Sequence, residues 1–149
     1  MGSKDRLYAD IMAVHPEVTG SCNLVIVKQP DNSTVKFVVD CGLFQERQYS
    51  KNNDSLPFIP ANIDFCLVTH NHVDHVGRLP FMVNKGFDKE IYMTETTAKL
   101  LPLALEDSHK VLRDVAKRQN HSPLYSEADV SQTMRLIHPC KYNETIQIR

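Results

Sequence analysis

Thr69-His70-Asn71-His72-Val73-Asp74-His75 follows directly on the apolar run Phe65-Cys66-Leu67-Val68. Three imidazoles and one carboxylate fall within the six positions from His70 to His75. Imidazole nitrogen and carboxylate oxygen are the donors that zinc takes. Four such donors this close together point to one metal ion or to two neighbouring ions. The competing reading is a polar loop that happens to be rich in histidine. The strand-like run before it and the helical pattern after it favour a site, because they fix where the four side chains stand.

Outward from the cluster the pattern alternates. Asp64 to Thr69 reads as a strand that delivers the histidines at its end. A helix is expected from near Val76, with Pro80 at about its fourth position, where a missing N–H is tolerated, and Gly86 as the residue that ends it. Glu90 to Thr94 is a short strand, and Thr94 caps a long helix from Glu95. Leu101, Leu105, Ser108, Leu112 and Val115 step by four and three and predict its buried stripe. Pro102 is expected to kink or break it. Glu127 to Leu136 reads as a further short helix, and Thr145 to Arg149 alternates like a strand. Upstream, Asn23–Lys28 and Val35–Asp40 are β-rich runs around the turn residues Gln29-Pro30-Asp31-Asn32-Ser33, a hairpin pattern. Asp40 stands at the end of the second run. Gln45 to Pro60 is polar and reads as a long surface loop of the kind that is often functional. Alternating strands and helices give an α/β class with a layered sheet.

The spacing suits two ions. In extended chain, residues two apart point to one side, so His70 and His72 can grip one ion while Asp74 and His75 face a second. Ions about 3.5–4 Å apart clamp the attacking and leaving oxygens of a hydrolysis and bring water's ionisation to near pH 7. Asp40 has two readings that the residues leave open. It is a strand-terminating turn residue before Cys41-Gly42, or it accepts the free N–H of a ligand imidazole and fixes its tautomer.

His70-Asn71-His72-Val73-Asp74-His75 resembles the HxHxDH signature of the metallo-β-lactamase superfamily. Val18-Thr19-Gly20-Ser21-Cys22, Val39-Asp40-Cys41-Gly42-Leu43-Phe44-Gln45 and Gly77-Arg78-Leu79-Pro80 resemble its β-CASP branch, which includes RNA-processing nucleases. The likeness runs from about His15 to Leu112 and is recognisable to the C-terminus. It implies an αββα sandwich with a two-zinc site at one edge, hydrolysing RNA phosphodiester bonds with a metal-bound hydroxide. On this sequence it implies His70 and His72 as ligands of one zinc and Asp74 and His75 of the other. Asp74 would also help activate water, and Asp40 would be the catalytic aspartate that supports the site. The sequence departs from the family's pattern downstream, where a further histidine, a bridging aspartate and a late histidine are absent. His109, His121 and His138 lack the expected glycine-flanked setting. His109 reads as a solvated or partly buried helix residue, His138 as a loop residue, and His15 as an ordinary strand-end histidine. Residues 1–149 are therefore expected to be the N-terminal part of such a domain, without its C-terminal half and cap. Weak zinc binding, little activity and an apolar sheet face prone to self-association follow.

Composition bounds the rest. The chain is 42% hydrophobic and 23% charged, enough for one core. Seventeen basic and eighteen acidic residues give a net charge of −1, which offers no global attraction to a polyanion. Basic density is local, at Lys110, Arg113, Lys117 and Arg118. The four cysteines form no C-x-x-C pair and read as free thiols of a reducing compartment. No stretch approaches the roughly 20 apolar residues that span a bilayer, and Met1 to Arg6 lacks a secretory pattern. A cytoplasmic protein with no membrane association is expected, with RNA as partner. A thioester or lactone hydrolase and a non-catalytic scaffold subunit stand as alternatives. The sequence assigns no substrate-binding residue and does not separate RNA from DNA, since the 2′-hydroxyl would be read elsewhere.

Overall fold

The β-branched runs upstream of Asp40 pair as the expected hairpin. In the computed structural model, which describes residues 8–14 and 17–148, β2 (Asn23–Lys28) and β3 (Thr34–Val39) run antiparallel from Asn23 against Val39 to Lys28 against Thr34. The turn closes through Gln29 N–H to Ser33 O at 2.9 Å, with Asn32 at φ 66°, a conformation asparagine tolerates. Before them β1 (Tyr8–Ala13) adds antiparallel to β2. After β3 the sheet turns parallel through β4 (Phe65–Leu67), β5 (Ile91–Thr94) and β6 (Ile137–Cys140). The result is a mixed six-stranded sheet in order β1 to β6, with helices α1 (Val73–Val76), α2 (Leu79–Asn84), α3 (Glu95–Arg118) and α4 (Glu127–Arg135). The α/β class read from the sequence is the one observed.

Pairing decides which face is covered. Leu24, Val38, Cys66 and Ile91 share one face through the register, and all four belong to the core with Leu79, Leu105 and Val130 from the helices. The opposite face carries Ile11, Val25, Phe37, Phe65 and Tyr92. None of these enters that core. They form a row of their own, with Phe37 stacked on Phe65 at 4.6 Å, Phe65 edge-on to Tyr92 at 6.0 Å, and Tyr92 beside His138 at 4.8 Å.

Several expectations are corrected. The helix after the cluster starts at Val73 and is split in two, so Asp74 and His75 are helical and Pro80 is the second residue of α2. The Gln45–Pro60 loop contains a 3-10 stretch, Arg47–Asp54. Pro102 does not break α3, which runs through it. Leu101 and Leu105 are both fully buried on either side of it, and that packing outweighs the roughly 3 kcal/mol a helical proline costs. The stripe ends on buried Ala116, not on Val115, which is exposed. Ala116 lies nearer the wheel position of Leu105 and Leu112 at 3.6 residues per turn. His138 lies in a strand, not a loop, since a proline neighbour is tolerated at a sheet edge. No strand forms over residues 145–148, where the alternation finds no ladder partner. His15 falls outside the described residues. Among them, no helix is long and apolar enough to cross a membrane.

Candidate metal centre

β3 and β4 are parallel, so their carboxyl ends lie side by side and bring Asp40 next to Thr69. Asp40 leaves the strand at φ 64°, in the left-handed region that aspartate visits more readily than most residues. Its N–H bonds Leu67 O at 2.8 Å. The carboxylate is buried, 2% exposed, and satisfied. Oδ1 accepts Thr69 N–H at 2.8 Å, and Oδ2 accepts the Thr69 hydroxyl at 2.8 Å. Oδ2 also lies 2.8 Å from His75 Nδ1. Asp40 thus both ends β3 in a turn and meets the imidazole of His75.

His75 and Asp74 sit on α1, a helix of four residues. So short a helix cannot satisfy its own last carbonyls. They are met by N–H groups from two other segments: Leu43 to Val73 O at 3.0 Å, Ser21 to Asp74 O at 2.8 Å and Cys41 to His75 O at 2.8 Å. Gly42 N–H closes the set on Ser21 O at 2.9 Å. A Cβ on Gly42 would stand 1.6 Å from Asp74 O, so only glycine allows this approach. Arg78, fully buried, ties down the loop behind. Its Nε donates to Gly42 O at 2.6 Å and its Nη1 to Asn52 O at 2.9 Å and Ser55 O at 3.0 Å, with the guanidinium 5.1 Å from the Phe44 ring.

The three cluster histidines meet. His70 lies 4.0 Å from His75 and 4.6 Å from His72 between ring centroids. His75 Nε2 stands 3.7 Å from Asp74 Oδ2. Nitrogen and oxygen sharing one zinc, each at about 2.0–2.2 Å, lie at most about 4.3 Å apart, so this pair fits an ion in kind and in spacing. The set is not a finished shell: among the described residues no three histidine, cysteine, aspartate or glutamate side chains are arranged to hold an ion. A groove of about 790 Å³ opens beside it, lined by Phe44, Asn53, His72, Asp74, Val111 and Val115.

The later histidines stay away. His109 is buried against the Tyr125 ring at 5.9 Å, His121 bonds Gln119 Oε1 at 2.9 Å, and His138 Nδ1 lies 3.5 Å from Glu90. Cys22, Cys41 and Cys66 are buried free thiols, and Cys140 is half-buried. A hydrogen bond with Cys41, then burial, raises Cys22 well above the ordinary thiol range, and burial does the same for Cys66. Neither offers a thiolate at neutral pH. Sequence reasoning gave no role to Thr69, read Gly42 only as part of the Cys41-Gly42 strand break and of the resemblance, and quoted Ser21 and Arg78 only as part of the resemblance. Their signal was adjacency to the cluster and to Asp40, and it becomes legible only once the strand ends are side by side.

A mixed sheet whose adjacent parallel strand ends gather histidines and aspartates in this order defines a class. The chain belongs to the metallo-beta-lactamase superfamily, whose model matches residues 18–140. It is 32% identical over 132 residues to Ribonuclease TTHA0252 of Thermus thermophilus, covering 89% of this chain and 28% of that protein. It is 27% identical over 139 residues to the Integrator complex subunit 11 homolog of Dictyostelium discoideum, covering 89% of this chain and 18% of that protein. The chain thus spans under a third of the length of these curated relatives. Among solved structures, a B3 metallo-beta-lactamase with an active-site glutamic acid aligns with 91% of this chain and 50% of its own at 17% identity and a TM-score of 0.41.

Proposed function

We propose that this chain carries the first part of a two-zinc hydrolase site of the β-CASP branch, acting on RNA phosphodiester bonds in the cytoplasm. The observation that carries the reading is the Asp40–His75–Asp74 line. Asp40 holds His75 by Nδ1 at 2.8 Å and leaves Nε2 facing Asp74 at 3.7 Å. His70 and His72 would hold one ion, and Asp74 and His75 the other. Divalent ions there would supply polarised water near pH 7 and a clamp on the phosphoryl oxygens. The chain's own contribution is placement. Asp40 orients His75, the backbone donors of Ser21, Cys41 and Leu43 hold α1 still, and Asp74 offers a carboxylate beside the groove that would accept a proton from water. A relative named as a ribonuclease supports RNA as substrate.

The reading includes incompleteness. The motivation is the chain's share of its relatives' length, 28% of the ribonuclease relative. Ligand shells bind tightly only when assembled. Isothermal titration of the isolated chain with zinc is expected to give weak binding and no measurable RNA cleavage. A sub-micromolar two-zinc isotherm would overturn it. If the reading frame continues past Arg149, the longer polypeptide is expected to cleave RNA with zinc and to lose that activity in Asp74→Ala. Hydrolysis of a thioester with RNA left intact would replace the substrate assignment, and inactivity on both in a zinc-loaded protein would favour the scaffold role.

A further inference from the structure

The Thr69 hydroxyl has three neighbours: His75 Nδ1, at 3.5 Å and itself directed at Asp40, and two closer groups that place opposite demands on it. Asp40 Oδ2 stands 2.8 Å from Thr69 Oγ1, and His70 Nδ1 stands 3.0 Å from it on another side. A threonine hydroxyl has one proton to give and lone pairs to receive with, whereas a carboxylate only accepts. The proton therefore goes to Asp40. What remains towards His70 is a lone pair, so His70 Nδ1 must bring its own proton. Were Thr69 to donate to His70 instead, two oxygens without a proton between them would face each other at 2.8 Å. The same carboxylate takes the Nδ1 proton of His75 directly at 2.8 Å.

We propose that Thr69 is a positioning residue. Its hydroxyl, oriented by Asp40, fixes His70 as the Nδ1–H tautomer and turns the His70 Nε2 lone pair outward for a divalent cation. The partner of one ring nitrogen decides which nitrogen is free to ligate. One buried carboxylate thus sets two imidazoles, His75 at first hand and His70 through Thr69. Thr69 N–H on Oδ1 at 2.8 Å keeps the carboxylate from rotating out of this role. The inference deepens the metal-site reading and rests on it for its purpose, but the tautomers themselves exist without metal.

The experiment is long-range ¹H–¹⁵N correlation of the histidine rings in the metal-free chain at alkaline pH. His70 and His75 are expected to show protonated Nδ1 and unprotonated Nε2. In Thr69→Val, His70 is expected to shift towards the Nε2–H form while His75 keeps its pattern. Thr69→Ser, which retains the hydroxyl, is expected to restore His70. A wild-type His70 carrying its proton on Nε2 overturns the proposal whether or not any variant folds, and so does an unchanged His70 spectrum in a folded Thr69→Val chain. Zinc titration of the same samples separates the two claims. Nδ1–H rings in a longer, complete polypeptide that takes no zinc would sink the metal reading and leave the tautomer assignment standing.

Discussion

Asp40 accepts three hydrogen bonds from two residues of the next strand end and helix, so its acceptor oxygens matter more than its charge alone. Asp40→Asn replaces one of them by a donor that would confront Thr69 or His75. Loss of a partner that orients a metal ligand typically costs about 10- to 100-fold in affinity, and zinc titration of the variant should register a weakening of that order. Gly42 is the second decisive residue. A methyl at 1.6 Å from Asp74 O cannot be accommodated without moving α1. Gly42→Ala is therefore expected to lower stability by about 3 kcal/mol, read as a lower urea midpoint together with lost zinc binding. The two positions differ in how visible they are in sequence. The histidines and Asp74 announce themselves by donor chemistry and spacing, and Asp40 by standing at a strand end. Gly42 and Ser21 act through backbone atoms, which carry no side-chain signature. Thr69 acts through the direction of a single proton, which depends on Asp40 being 29 residues away in sequence and 2.8 Å away in space.

Short elements need outside support, and here the support comes from loops. The C-cap of α1 is Gly77, whose carbonyl accepts the Tyr125 hydroxyl at 2.9 Å from the segment leading into α4. Burial pushes the Tyr125 phenol from 10.0 up to about 12. The unfolded chain then ionises first, so between these values it holds fewer protons than the folded one, and stability falls as pH rises. The contribution is whole below pH 10.0 and gone once pH passes about 12, a loss of roughly 2–3 kcal/mol at about 1.4 kcal/mol per pH unit. Tyr92, raised to about 12 chiefly by its hydrogen bond to Glu90, declines in the same window. Urea midpoints across that range should therefore fall in the native chain and fall less in Tyr125→Phe, which also starts lower by about 1–3 kcal/mol for the lost buried hydrogen bond. At this scale the sequence reads best where capping is local. Thr94 and the start of α3 are where the pattern puts them, because the Thr94 hydroxyl accepts Thr97 N–H within the same turn. It reads worst where a neighbour decides. β1 and β6 exist because β2 and β5 offer them ladder partners, and α3 passes through Pro102 because the sheet holds it on both sides.

At the scale of the whole molecule, the helices pack against one face of the sheet. The main core cluster draws on the side carrying Leu24, Val38, Cys66 and Ile91; on the other side Val25, Phe65 and Tyr92 are buried, Phe37 is half-buried and Ile11 is 72% exposed. The aromatic row on the other side, from Phe37 to His138, depends on strand register that the sequence does not specify. The exposed apolar surface of this sheet lies at β1, where Tyr8, Ile11 and Met12 are open, and such surface favours association in water. We expect sedimentation velocity of the isolated chain to show a coefficient that rises with concentration, and a hydrophobic dye to bind. Ile11→Lys tests the location. Ile11 is too exposed to support the core, so the fold should persist. Removing one aliphatic side chain from a contact and adding a charge should weaken self-association by about tenfold, the equivalent of burying one such residue. A clean monomer at all concentrations with no dye bound would count against association through β1, whereas association unaltered by Ile11→Lys would move the contact elsewhere, to the exposed side of α3 at Leu100 and Leu103.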